Sequence, residues 1–206
     1  PSVAYGYEDA RELAEVFQGK RPGYNYGRQL NPTVTALQNK ISAMEDGLAS
    51  AAFATGMGAI SSTILSLLKQ GDHIVSSAYL FGNTNSFFGT IQNLGIEVSF
   101  VDATDVENVA AAIKDNTRLV FVETIANPVT QIADLLPIGQ LCREKGVIYC
   151  VDNTMTSPHL FTPKSVGASL VVNSLTKYIG GHGNALGGAI TDTGLFDWEQ
   201  FPNISD

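Results

Sequence analysis

One lysine, Lys177, stands in a setting that can make its amine reactive. It follows an apolar run at 170–172 and two alcohols, Ser174 and Thr176, and a glycine-rich turn follows at 180–183. An apolar run of this kind predicts a buried strand, and ligands of open α/β sheets bind beyond the carboxyl ends of the strands. Partial desolvation at that place would lower the pKa of a lysine and make its amine nucleophilic.

Two interpretations of this stretch are open at this point. In the first, Lys177 forms a Schiff base with pyridoxal 5′-phosphate (PLP), and the hydroxyls of Ser174 and Thr176 bind the phosphate of that cofactor. In the second, Lys177 is an ordinary surface lysine at a junction between a strand and a loop. Short motifs also match by chance, so the rest of the chain has to separate the two interpretations.

The elements that would position Lys177 alternate along the chain. Short apolar runs predict strands, and apolar residues at helical spacing predict helices. The predicted strands are 49–54, 73–77, 97–101, 119–123, 147–151, 170–173 and 187–191. The predicted helices are 9–17, 31–47, 59–68, 83–94, 106–113 and 135–145. This order predicts an α/β fold with a mainly parallel sheet covered by helices on both faces, and its first strand is expected to be buried.

Residues that suit a single ligand follow the predicted strands. Gly56 and Met57 open a helix after the first strand, where backbone N–H groups can bind a phosphate. An aromatic ring at Phe81 can stack on a flat cofactor, and the amide of Asn127 can reach a ligand. Asp152 follows an apolar run, where a carboxylate needs a partner such as a protonated pyridine nitrogen.

Each of these residues also has an ordinary structural explanation. Phe81 can be a core aromatic, Asn127 a turn former before proline, and Asp152 a helix cap or half of a salt bridge. Their common location separates the alternatives, because the carboxyl ends of parallel strands meet at one edge of a sheet. The combination therefore favours a PLP site with Lys177 as its amine.

The composition excludes several other classes of function. The 206 residues are 44% hydrophobic and carry a formal net charge of −8 without a cluster of basic residues, so neither nucleic acid nor a membrane is expected as a partner. No signal peptide and no apolar run of membrane-spanning length is recognisable, so a cytoplasmic protein is expected. Cys142, Cys150 and the three histidines lack metal-ligand spacing, and no metal site is expected. A nucleotide-binding module is disfavoured because no dinucleotide fingerprint or phosphate loop occurs.

The first 31 residues are expected to form an arm. A short amphipathic helix is predicted at 9–17, and the segment 21–28 is rich in turn formers and tyrosine. Such a segment packs poorly on itself, so contact with a neighbouring subunit is expected, with a plain surface loop as the alternative. Residues 32–206 would then form the α/β domain.

With these residues assembled, the chain resembles the PLP-dependent Cys/Met metabolism family of fold type I. That family includes cystathionine γ-synthase, cystathionine lyases, methionine γ-lyase and the acylhomoserine sulfhydrylases. The matching stretches follow the family order over most of the chain: YGRQLNPT at 26–33, TGMGA at 55–59, ETIANP at 123–128, VDNT at 151–154, SLTKY at 174–178 and GHG at 181–183. The resemblance also implies a small C-terminal domain, absent from this sequence, with the arginine that binds the substrate carboxylate.

The resemblance implies a role for each matching residue. Lys177 would be the Schiff-base lysine and a later proton shuttle, and Asp152 the carboxylate that keeps the pyridine nitrogen protonated. Asn127 would lie near the phenolic oxygen of the cofactor, and Phe81 would stack on its ring. The phosphate would be bound by Gly56, Met57, Ser174 and Thr176, and, from the neighbouring subunit, by Tyr26 and Arg28.

Two departures from the family pattern bear on the reaction. Most members have tyrosine where this chain has Phe81, so the stacking is kept but a phenol near the leaving group is lost. Either Tyr26 or a water acts in its place, or the preferred reaction differs. Asn83 stands where methionine γ-lyases tend to have cysteine.

The expected activity is γ-replacement on an O-acylhomoserine by a homo-oligomer, a tetramer of active-site dimers. The alternatives are γ-elimination and a non-catalytic PLP-binding fragment.

Overall fold

The alternation of strands and helices predicted from the sequence is present in the computed structural model, which describes residues 2–204. The strands are β1 Ala49–Phe53, β2 His73–Ser77, β3 Glu97–Val101, β4 Thr117–Glu123, β5 Ile148–Asp152, β6 Leu170–Asn173 and β7 Gly188–Asp192. The α-helices are α1 Ala10–Phe17, α2 Pro32–Met44, α3 Gly56–Leu67, α4 Gly82–Ile91, α5 Val106–Ala112, α6 Leu135–Lys145 and α7 Ser157–Leu160. Short 3₁₀ helices occupy Gln92–Leu94, Pro163–Val166 and Trp198–Gln200. Between residues 2 and 204, no helix combines the length and the apolar character that crossing a membrane requires.

The strands form one sheet in the order β1-β7-β6-β5-β4-β2-β3. The five strands from β6 to β3 are parallel, whereas β7 is antiparallel to both of its neighbours. The prediction of a mainly parallel sheet is therefore confirmed. The prediction that the first strand is buried is wrong, because β1 is an edge strand and none of its five residues is fully buried.

Helices cover both faces of the sheet. Successive residues of a strand point to opposite sides, so a single strand contributes side chains to the core on each face. On one face, Phe121 of β4 packs in a cluster with Ile64 of α3 and Phe88 of α4. On the other face, its neighbour Val120 packs in a second cluster with Ile138 of α6. Full burial of one such side chain contributes about 1.5–3 kcal/mol, so the two clusters hold the strand ends in place.

Polar caps decide where the helices begin. Asn31 accepts hydrogen bonds from the N–H groups of the first turn of α2 at 3.0 and 3.2 Å, directly before Pro32. Thr55 accepts from the N–H of Gly58 at 2.9 Å, and α3 therefore begins at Gly56, before the predicted start at residue 59. The helix α7 and the 3₁₀ segments Pro163–Val166 and Trp198–Gln200 were not predicted, because they are too short to show a hydrophobic period. The 3₁₀ segment Gln92–Leu94 forms the end of the helix predicted at 83–94.

The N-terminal segment mostly contacts itself. The hydroxyl of Tyr7 donates to the carbonyl of Tyr24 at 3.0 Å, and the N–H of Gly27 donates to the carbonyl of Val3 at 2.6 Å. None of the residues of α1 is buried, and Phe17 is 65% exposed. Residues 1 and 206, the outer limits of the arm and the domain predicted from the sequence, lie outside the described residues.

Candidate active site

The carboxyl ends of the strands border a cavity of about 720 Å³. The loops after β1, β2, β4, β5 and β6 contribute to its lining. Most of the residues expected from the sequence line this cavity, namely Gly56, Met57, Phe81, Asn127, Asp152, Ser174, Thr176 and Lys177. This is the edge at which an open α/β sheet binds its ligands.

The start of α3 packs tightly against the loop after β6. Gly56 and Met57 are the first residues of α3, and the first N–H groups of a helix have no partner within it. A Cβ atom at Gly56 would lie 2.8 Å from the Cβ of Ser174 and 3.0 Å from its Oγ, so only glycine permits this approach. The hydroxyl of Ser174 therefore lies beside free N–H groups, an arrangement that suits a phosphate.

Lys177 lies in a tight turn after β6. Its N–H donates to the carbonyl of Ser174 at 3.2 Å, and its carbonyl accepts from the N–H of Gly181 at 2.8 Å. The residue lines the cavity but is exposed, so the desolvation expected from the sequence is not present in the single chain. The hydroxyl of Thr176 donates to the carbonyl of Gly187 at 3.2 Å and accepts from its N–H at 3.1 Å. The proton of Thr176 therefore already has a partner within the chain.

Asp152, the last residue of β5, places a carboxylate in the cavity. Its Oδ1 accepts from the N–H of Thr154 at 3.0 Å and from the hydroxyl of Thr154 at 2.5 Å. That hydroxyl in turn accepts from the N–H of Ser174 at 2.8 Å, which links the ends of β5 and β6. Burial raises the pKa of Asp152, and no salt bridge joins it to a cation within residues 2–204.

Sequence reasoning missed a second carboxylate, Glu123, at the end of β4. It is the Cα partner of Asp152 in the parallel register, and both residues line the cavity. Burial, followed by the nearby charge of Asp152, raises the pKa of Glu123 to about 7. The signal that singled out Asp152, a carboxylate directly after an apolar run, also applied to Glu123.

Phe81 and Asn127 border the cavity from two neighbouring loops. Phe81 is the N-cap residue of α4 and is 40% exposed, so its ring is free to stack on a flat ligand. Asn127 lines the cavity and precedes Pro128 across a cis peptide bond. The main-chain N–H groups of both residues donate to the carboxylate of Glu123.

Tyr26 and Arg28 are not among the residues that line the cavity. The guanidinium carbon of Arg28 lies 5.1 Å from the centre of the Tyr26 ring, which is a cation–π contact. The main chain of Tyr26 pairs with Ala4 in an isolated antiparallel bridge. The single chain therefore does not bring these two residues together with Lys177.

Glu45 is another buried carboxylate that the sequence did not indicate. Glu45, fully buried at the end of α2, accepts from the amide groups of Asn153 at 3.1 Å and Asn173 at 2.6 Å. These asparagines adjoin Asp152 and Ser174, so the network holds the two strand ends that carry site residues. Burial raises the pKa of Glu45. No local pattern could reveal this network, because Asn153 and Asn173 are 108 and 128 residues away from Glu45.

Comparison with known proteins assigns the family. Residues 2–205 match the family described as Cys/Met metabolism PLP-dependent enzyme. The chain belongs to this family. The resemblance stated from the sequence motifs is thereby confirmed, and PLP is the cofactor on which the family depends.

Curated members of the family are similar to nearly the whole chain. An O-acetyl-L-homoserine sulfhydrylase from Leptospira meyeri is 39% identical over 208 residues, which cover 100% of this chain and 47% of the relative. An L-methionine gamma-lyase from Fusobacterium nucleatum subsp. polymorphum is 41% identical over 203 residues, which cover 97% of this chain and 51% of the relative. The chain thus spans about half the length of the curated relatives it matches.

Solved structures of similar proteins have the same fold. A Campylobacter jejuni structure, described as an O-acetylhomoserine (thiol)-lyase with N′-pyridoxyl-lysine-5′-monophosphate, has a TM-score of 0.86 and 32% identity over 93% of this chain and 48% of that one. An O-acetylhomoserine sulfhydrylase from Wolinella succinogenes has a TM-score of 0.78 and 42% identity over 84% of this chain and 49% of that one. The α/β fold is therefore that of fold type I PLP enzymes.

The residues around the cavity fit PLP. Asp152 is a carboxylate with a raised pKa and without a cationic partner in the described chain, which a pyridinium nitrogen would supply. The contact of Gly56 with Ser174 leaves helix N–H groups and a hydroxyl together for a phosphate. Lys177 supplies an amine on the same cavity. A metal centre has no comparable support, since residues 2–204 contain no cluster of three or more His, Cys, Asp or Glu side chains that could hold one.

Proposed function

We propose that the whole protein catalyses γ-replacement on an O-acylhomoserine, in which a thiol or sulfide takes the place of the acyloxy group. The reaction belongs to trans-sulfuration and methionine biosynthesis. The observation that carries the proposal is that Lys177 and Asp152 line one cavity together with four of the phosphate-binding candidates, Gly56, Met57, Ser174 and Thr176. The sulfhydrylases among the relatives support γ-replacement in particular.

Lys177 is assigned the central role in proton transfer. Its Nζ would hold the cofactor covalently until the amine of the substrate takes its place, and the freed amine would then remove the proton from Cα. PLP, when bound, supplies an electron sink for the charge left at Cα. The turn after β6 holds Lys177 through the hydrogen bonds of its own main chain, so the released side chain remains at the cavity.

The neighbouring residues would hold and orient the cofactor. Asp152 would keep the pyridine nitrogen protonated, and Phe81 would stack on the ring. The N–H groups of α3 and the hydroxyl of Ser174 would bind the phosphate. The hydroxyl of Thr176 would also bind the phosphate, after rotating away from the carbonyl of Gly187 to which it donates in the single chain.

The N-terminal arm is assigned to the site of a neighbouring subunit. Tyr26 and Arg28 would reach the phosphate of the partner's cofactor, and the exposed apolar surface of α1 would be covered by subunit contact. We therefore infer a homo-oligomer, with active-site dimers assembled into a tetramer. A cytoplasmic location is inferred from the free, buried thiols of Cys142 and Cys150, which suit a reducing compartment.

The second candidate function is γ-elimination. It is favoured by the methionine gamma-lyase at 41% identity. The phenol common in the family near the leaving group is missing at Phe81, which bears on elimination and replacement alike, because both expel the γ-substituent. Asn83 lines the same part of the cavity, where methionine γ-lyases tend to carry cysteine, and it argues for replacement.

Product analysis of the whole protein distinguishes these functions. O-acetylhomoserine, O-succinylhomoserine, cystathionine and methionine would be supplied in parallel, with and without a sulfur nucleophile. A sulfur-containing replacement product from an acylhomoserine is expected. A 2-oxo acid and ammonia without a replacement product would identify a lyase, and bound PLP without any product would identify a non-catalytic protein.

A further inference from the structure

The carboxylate of Glu123 connects the loop after β2 with the loop after its own strand. Its Oε1 accepts from the N–H of Phe81 at 2.6 Å, and its Oε2 accepts from the N–H of Asn127 at 3.1 Å. The side chain is almost completely buried, with 6% of the residue exposed. Hydrogen bonds to an ionised acceptor are strong, and those shielded from water are stronger still, so this carboxylate fixes the two loops relative to one another.

The first of these bonds holds the N-cap residue of α4, a helix that has no side-chain cap of its own. Phe81 is the N-cap residue of α4, and no side-chain hydrogen bond caps this helix locally. The N-terminus of a helix carries unpaired N–H groups and a partial positive charge. Glu123 supplies the acceptor from a neighbouring strand and thereby fixes the start of α4 and the position of Phe81.

The second bond joins the loop of Asn127 to Glu123, the last residue of β4. Within this loop, the N–H of Ala126 donates to the carbonyl of Gln131 at 2.9 Å, and the N–H of Thr130 donates to the carbonyl of Ala126 at 2.7 Å. The N–H of Asn127 instead donates to Glu123. The main chain of Asn127 is thus fixed, while its side chain remains on the cavity.

Packing alone does not account for an acidic residue at position 123. A buried carboxylate next to Asp152 destabilises the fold, and an apolar residue of similar size would fill the same space without that penalty. Such a residue would, however, leave the N–H groups of Phe81 and Asn127 without their acceptor. We propose that Glu123 is a positioning residue for the cofactor ring. Glu123 binds the main chains of Phe81 and Asn127 and so holds these two residues against the ring. The inference rests on the proposed function for the identity of the ring.

Two substitutions test the connection in the cofactor-free chain. In Glu123→Gln the amide nitrogen cannot accept a hydrogen bond, and in Glu123→Asp the side chain is one methylene shorter. Either change should leave at least one of the two N–H groups without a partner. Glu107→Gln on the exposed first turn of α5 is the matched control, since it removes the same charge by the same isosteric change.

The first measurement is amide hydrogen exchange by NMR at pH 8, where Glu123 is largely ionised. In both Glu123 variants, the amide of Phe81 or Asn127 is expected to exchange about tenfold faster, while that of Phe121 in the centre of β4 stays unchanged. The control should alter none of the three amides. Unchanged exchange of Phe81 and Asn127 in both variants would overturn the proposal.

The second measurement adds PLP and reads its visible circular dichroism, which depends on the orientation of the ring. Glu123→Gln is expected to change this spectrum and to weaken PLP binding about tenfold, whereas Glu107→Gln should leave both as in the wild type. Faster exchange with an unchanged spectrum and unchanged affinity would overturn the positioning role. Failure of the wild-type chain to bind PLP would overturn the proposed function and the role towards the ring together, whatever the exchange data show.

Discussion

Glu123 and Asp152 lie side by side at the ends of β4 and β5, as Cα partners in the parallel register, and both line one cavity. The pKa of Glu123 is raised to about 7, first by burial and then by the charge of Asp152, and burial also raises the pKa of Asp152. Burial thus makes the ionised form of both carboxylates costly. A cationic ring nitrogen between the strand ends would reduce their repulsion.

The first prediction concerns stability and pH. Because the pKa of Glu123 is about 7 in the folded chain and near 4.5 when unfolded, the folded chain binds more protons in this window. Its free energy of unfolding should fall as pH rises from 4.5 through 7, by at most about 3 kcal/mol from this residue. Urea denaturation of the cofactor-free chain at pH 5 and pH 8 should show a smaller fall in Glu123→Gln, which retains the other titratable groups on the cavity, Asp152, Lys177 and Tyr178. Equal falls in both proteins would contradict the prediction.

The second prediction concerns Lys177. Borohydride reduction of the PLP-loaded chain, followed by peptide mass spectrometry, should place a pyridoxyl phosphate group on Lys177. Lys177→Ala should lose this label and at least about 10²-fold in the activity of the whole protein, because the proposed function assigns the covalent amine and the base at Cα to this one side chain. The exposed Lys40→Ala is the control and should keep both properties. A bound-cofactor spectrum that Lys177→Ala leaves unchanged would refute the assignment.

The third prediction separates cofactor affinity from stability at Asp152. Asp152→Asn removes a buried charge without a cationic partner in the described chain, so the cofactor-free variant should be more stable than the wild type at pH 7. If Asp152 is the counter-charge of the pyridinium, as proposed, the same change should weaken PLP binding about tenfold or more. Denaturation and PLP titration measure the two effects, with Asp115→Asn as an exposed control. A loss of both stability and affinity would point to a structural role alone.

The fourth prediction uses two glycines. Gly56→Ala would place a Cβ 2.8 Å from that of Ser174 and should destabilise the chain by about 1–3 kcal/mol and weaken PLP binding. Gly89 lies exposed in α4 with nothing within 4 Å of a Cβ, so Gly89→Ala should stabilise the chain by up to about 1 kcal/mol. Thermal denaturation compares the two, and equal shifts would contradict the close contact at Gly56.

The fifth prediction tests the arm. If Tyr26 serves the cavity of a neighbouring subunit, Tyr26→Ala and Lys177→Ala should each inactivate the whole protein, while dimers mixed from the two variants contain one intact site. Unfolding and refolding an equal mixture should then restore about a quarter of wild-type activity, since half of the dimers are mixed. No recovery in a mixture shown to contain mixed dimers would place Tyr26 at its own subunit's site.

Much of the architecture could be predicted, because the signals for it are local. The strands His73–Ser77 and Glu97–Val101 and the helix Leu135–Lys145 have the predicted bounds, since hydrophobic runs and helical spacing lie within a few neighbouring residues. Many of the cavity residues could be found as well, because a parallel sheet collects whatever follows each strand at one edge. The family motifs are likewise contiguous stretches of sequence.

Other features depended on contacts between distant residues. The sequence does not reveal that β1 pairs with β7 at the sheet edge, that Thr176 is bound to Gly187, or that Lys177 is exposed in the single chain. The sequence contains the acidic residue Glu123 but does not show that its carboxylate accepts from the N–H of Phe81, because Phe81 lies 42 residues away on another loop.

The sequence by itself therefore determined the order of the elements, the family and the residue types at the strand ends, all of which are properties of short segments. Only the tertiary structure decided which of those side chains meet. The register of β4 against β5 sets Glu123 beside Asp152, and the packing of α3 on the β6 loop sets Gly56 against Ser174. Such neighbours are chosen by strand order and packing over the whole chain, which no local pattern of residues records.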